Sequence, residues 1–136
     1  MNKQLQDMIK ELTAKIQDSY ETGVSMEEAE RLAGKTLHLQ LLLADELKNA
    51  DLSARMSKSG VKAVKAAVYL DEAGKSEKKP SDTFLQAKVD VNELVAAEQD
   101  RLDTAEVSRD LLHHYNSVFK EAHIHFRSIA KGTFGG

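Results

Sequence analysis

Apolar residues recur along this chain at steps of three and four, the period of a helix face, and no stretch alternates as a strand does. Leu5, Met8, Ile9, Leu12 and Ile16 predict a first helix over residues 3–22, with Asn2 as its N-cap and Thr22-Gly23 as its stop. "SMEE" places Ser25 three residues before Glu28, a capping-box pattern. A second helix therefore starts at Met26. Its inner face carries Leu32, Leu39, Leu43, Leu47 and Ala50. "SKSG" at 57–60 is weak helix, and Gly60 costs about 1 kcal/mol relative to alanine. The period nevertheless resumes at Val61, Val64 and Val68, so a continuous or slightly kinked helix is expected as far as Leu70.

"DEAGKSEKKPSD", residues 71–82, is expected to be a turn with mobile lysines. Gly74 stops one helix there, and Ser81 or Asp82 caps the next. The last helix is predicted as one piece over 83–131. Its stripe is Val91, Leu94, Val95, Leu102, Ala105, Leu112, Tyr115, Phe119, Ala122, Phe126 and Ile129. "GTFGG" follows, with Phe134 expected to dock on a neighbour. The predicted fold is all-α: one domain made of a long antiparallel helical hairpin and an added N-terminal helix. Leu112, Phe119 and Phe126 lie on a helix too long for the short first helix to cover. They are therefore expected at an interface between copies in a homo-oligomer, the alternative being a monomeric three-helix bundle.

Composition changes this picture little. In 136 residues, aromatics are 5% and charged residues 30%, which suits a thin core completed by association. There is no cysteine, so a disulfide framework and a thiolate metal site are excluded. The start "MNKQLQDMIKEL" is charged and periodic, unlike a secretory signal. "LLLA" is the longest apolar run and is too short to span a bilayer. A cytoplasmic protein without a membrane partner is expected.

Charge changes it more. The chain carries −3, yet residues 55–80 hold seven positive and three negative side chains, a local +4. Arg55, Lys58, Lys62 and Lys65 are spaced by three, four and three, so they share one helix face over roughly 15 Å. Like charges stacked this way weaken a helix. The following turn adds Lys75, Lys78 and Lys79, and Tyr69 stands close by. Such a row can follow a phosphate backbone while the tyrosine stacks on a base. The alternative is a solvated face whose lysine stems cover apolar surface. His123 and His125 point about 200° apart on a helix and cannot share an ion. Glu121 and His125 are four apart, but no third ligand follows. No phosphate loop, nucleophile elbow or activated nucleophile is present, so no enzyme and no cofactor are expected.

The layout over residues 25–132 resembles the UvsY-type recombination mediators of tailed phages. The segment "SMEEAERLAGKTL" is similar to that family's helix start. "VKAAVYLDEAGK" stands where the family has a Lys-x-Arg motif, aromatics and a basic glycine turn. Lys65 matches the motif lysine, Ala67 replaces its arginine, Tyr69 falls near the aromatics and Gly74-Lys75 resembles the turn. "AHIHFRSIAKG" is similar to the family's ending, with His123, Ile124 and Arg127 in like positions. The resemblance implies a ring-forming helical protein of host-cell cytoplasm. It would bind single-stranded DNA coated with single-strand binding protein and help load a RecA-like recombinase in DNA recombination and repair. The competing expectation is a small helical adaptor or anti-defence protein that binds a protein partner and no DNA.

Overall fold

A computed structural model describes residues 1–75, 77–78 and 80–132. It contains four helices: α1 (Lys3–Thr22), α2 (Met26–Gly74), α3 (Asp82–Asp90) and α4 (Glu93–Ala130). No strand occurs among the described residues, and no helix there is long and apolar enough to cross a membrane. Lys79 and Phe134, both singled out above, lie outside the described residues.

Local chemistry accounts for the helix ends. Asn2 Oδ1 accepts from Leu5 N at 2.7 Å, and Ser25 Oγ from Glu28 N at 3.1 Å. The Glu28 carboxylate does not close a capping box; it takes Arg31 Nη1 at 2.9 Å instead. Gly23 stops α1 with φ +80°, a conformation that favours glycine. Ser81 caps α3 through Phe84 N at 3.2 Å. Gly60 does not break α2. A Cβ there would stand 3.1 Å from Glu98 Oε2, so the bare backbone admits the α4 carboxylate.

Two features of the last segment differ from expectation. Helix α2 continues four residues past Leu70, to Gly74. The predicted single helix over 83–131 is broken at Val91-Asn92. Asn92 is the cause: its Oδ1 accepts from Leu94 N at 2.8 Å and from Val95 N at 3.2 Å, starting a new helix. The break resets the helical phase. Val91 and Leu94 leave the expected inner stripe and are exposed, while Val95 is buried. Asn92→Ala should lower stability by about 1 kcal/mol. Urea denaturation checks this, and an unchanged midpoint would mean that the cap is not what starts α4.

The chain packs as two compact units. The first comprises residues 1–48 and 111–136: α1, the first part of α2 and the last part of α4. Its core takes Leu5, Ile9, Leu12 and Ile16 from α1, and Leu32, Leu39 and Leu43 from α2. From α4 it takes Leu112, Phe119, Ala122 and Phe126. The three residues expected at an interface between copies thus belong to the core of one chain. Phe119 and Phe126 are 0% exposed and Leu112 is 7% exposed within one chain. The physical reason is that α1 is long enough to close over this end of α4. Its Tyr20 ring lies 6.5 Å from that of Phe126.

The second unit comprises residues 49–110: the last part of α2, α3 and the first part of α4. Val68, Val89 and Val95 form its cluster, with Val64 and Tyr69 packed against it. Ala54, Val61, Leu85 and Leu102 are also buried here.

Candidate nucleic-acid interface

The basic row lies wholly on α2 in the second unit. Taking about 100° per residue, Arg55, Lys58, Lys62 and Lys65 occupy one flank of the helix, beside the face that buries Val61 and Val68. All four are exposed. Among the described residues none of them has a carboxylate within 4.0 Å, whereas other cations are neutralised locally. Lys15 pairs with Glu11, Arg31 with Glu28 and Arg101 with Glu98.

The four are not equivalent. Arg55 and Lys58 line a groove of about 270 Å³ together with Asp51, Leu102, Glu106 and Arg109. Arg109 is held by Glu106 at 3.7 Å and Asp110 at 3.0 Å. A phosphate at this end therefore meets acidic neighbours as well as cations. Lys62 and Lys65 do not line that groove.

The turn that follows offers less than its lysine count promised. Lys75 Nζ pairs with Glu72 at 3.1 Å and Asp71 at 3.4 Å. The hydrogen bond to Glu72, then that to Asp71, raises its pKa and ties the ammonium to the end of α2. Lys78 is exposed.

Tyr69 shares the azimuth of the basic row, but its ring is half-buried against the valine cluster. Its hydroxyl donates to Asp82 Oδ1 at 2.7 Å. The side chain thus fastens α2 to the first turn of α3. That hydrogen bond, aided by desolvation, raises the phenol's pKa above its ordinary value near 10. The contribution to stability is present below the unfolded phenol's pKa and is lost as pH rises through the higher folded value. Stability should therefore fall above about pH 10. In Tyr69→Phe that component should vanish, which denaturation midpoints from pH 9 to 11.5, a range spanning roughly the phenol's titration, will reveal.

Sequence reasoning missed a second surface on the same helix. Leu52 and Leu70, 52% and 70% exposed, stand five turns apart on one side of α2, opposite its core face, with Met56 between. Exposed Ala63 and Ala66 continue the stripe. Within this unit α2 is apolar on two opposite sides. The signal lay in the sequence, as apolar residues left over after the inner stripe had been assigned.

Geometry and charge thus define the class: an all-helical protein with a solvent-facing basic row beside an uncovered apolar stripe. No family model, no curated protein and no solved structure matches the chain.

Proposed function

We propose that the chain binds single-stranded DNA along the basic row of α2. The observation that carries the reading is the set Arg55, Lys58, Lys62 and Lys65, exposed on one side of one helix with no carboxylate within 4.0 Å among the described residues. Contacts of this kind are to phosphates, so they are independent of sequence and weaken with salt. Tyr69 serves α3 in this account rather than a base, and Lys78 extends the row. The resemblance in layout supports the finer role of a recombination mediator. In it the protein acts on DNA coated with single-strand binding protein and helps a RecA-like recombinase to load.

The protein acts as a homo-oligomer in this reading. The surface a second copy covers is the stripe Leu52–Met56–Leu70, in place of the buried Leu112, Phe119 and Phe126. A leucine ends the stripe on each side. An antiparallel second copy therefore sets Leu52 of one chain against Leu70 of the other, as a self-complementary contact requires. Sedimentation at micromolar concentration should give a mass well above 15.1 kDa. Met56→Glu should return it to that of one chain without loss of helix, since Met56 is 65% exposed. A single-chain mass for the parent at roughly 100 µM, where even weak association registers, would contradict this assembly.

The uncovered stripe also favours a second reading, the adaptor or anti-defence protein that docks a partner's helix and leaves DNA alone. A parent that fails to bind oligo-dT at low salt decides for it.

A further inference from the structure

We propose that the first unit carries a binding site for a phosphate monoester with a neighbouring hydroxyl, in the groove between α2 and the end of α4. The groove holds about 340 Å³ and is lined by Glu30, Ala33, Gly34, His123, Arg127 and Lys131. That volume is in the range of small-ligand clefts, roughly 300–1,000 Å³.

His123, Arg127 and Lys131 follow one another at four-residue steps, the first two on α4 and Lys131 in the turn just past its end, where its N–H still bonds Arg127 O at 3.0 Å, so the three nitrogen-bearing side chains span roughly 12 Å. The His123 ring is half-buried, with Nδ1 2.8 Å from the Ala33 carbonyl oxygen. A carbonyl only accepts, so Nδ1 carries the proton and Nε2 is left as an acceptor for the ligand's hydroxyl. Thr36 Oγ1, 3.4 Å from Nδ1, adds a second contact on the same side of the ring. Arg127 is exposed and forms no ion pair among the described residues, although Glu30 lines the same groove. Its five fixed donors suit a phosphate. Glu30 sets the rest of the ligand: a bare anion is repelled by it, whereas a hydroxyl beside the phosphate donates to it.

The second observation is Gly34. It sits within α2, where glycine costs about 1 kcal/mol relative to alanine. A Cβ there would meet nothing within 4 Å, so no packing requires the glycine. Its effect is to leave its part of the groove lining open. Helix-end electrostatics explain Arg127 and Lys131 near the negative end of α4, but they explain neither Gly34 nor the fixed His123.

The test is an NMR titration of the whole chain with ribose 5-phosphate, and with a 5′-phosphorylated oligo-U, whose terminal ribose keeps its 2′-hydroxyl, against its unphosphorylated form. Saturable shifts around Gly34 and His123 in the low-millimolar range are expected. Arg127→Ala should weaken binding about tenfold or more. Gly34→Leu should abolish it while stability holds or rises, because the added side chain fills only empty groove. Saturation by ribose 5-phosphate assigns the site to a free ester; saturation by the phosphorylated strand alone assigns it to a strand end. Either supports the proposal. Shifts that rise linearly for every probe, or equal binding by both variants, overturn it. None of these outcomes depends on the basic row of α2, which Arg127→Ala and Gly34→Leu leave intact.

Discussion

Phe126→Ala should lower the stability of the fold by about 3–5 kcal/mol, and the loss should be the same at tenfold different protein concentrations. The side chain is fully buried within one chain. It meets Tyr20 of α1, while Phe119, also fully buried, stacks on Tyr115 at 6.4 Å between ring centroids. Truncation removes apolar area and leaves a cavity, and both costs arise in the single chain. An interface residue behaves otherwise: its loss shows in the concentration dependence of unfolding. Urea titrations at the two concentrations separate the cases. A loss under about 1 kcal/mol, or one confined to the dilute sample, would return Phe126 to an interface between copies.

The same residue shows where sequence reasoning stops. That Phe119 and Phe126 face inward was legible from their period. What they face was not, because periodicity gives the direction of a side chain and not the length of its cover. The bounds of α1, the start of α2 and the passage of α2 through Gly60 were legible for a different reason. Each rests on a cap or a period within a few residues.

The break at Asn92 was hidden because apolar residues stand on both sides of it. Val91, Leu94 and Val95 read as one stripe until the asparagine side chain is seen to accept two backbone hydrogen bonds. Of the candidate site, the one-face placement of the four α2 cations was visible in their spacing. The pairing of Lys75 with Asp71 and Glu72 was also within reach, at steps of four and three, but counting lysines concealed it. Tyr69 differs again. Its partner Asp82 lies thirteen residues away across a turn, and no local rule joins them.

Replacing Lys62 and Lys65 together with alanine carries the largest expected effect on binding. Among the described residues these two cations have no carboxylate within 4.0 Å, and they do not line the groove that Asp51 and Glu106 share with Arg55 and Lys58. Each phosphate neutralised on a single strand contributes about 0.7 to the slope of log K against log salt. Losing two contacts should therefore flatten the slope by about 1.4 and weaken binding of every sequence alike. Helix content should hold or rise, since alanine is the better helix former and two like charges are gone. A loss of binding accompanied by a loss of helix would point to damage rather than to lost contacts.

The central claim is that the basic row of α2 holds single-stranded DNA by its phosphates, and fluorescence anisotropy of labelled oligo-dT over a series of salt concentrations tests it most directly. For the parent chain the account predicts binding at low salt that falls linearly on the logarithmic plot. Four contacts give a slope of about −2.8, and the Lys62→Ala, Lys65→Ala variant should show about half of it. A parent that does not bind at low salt, or a variant whose affinity and slope equal the parent's, would contradict it.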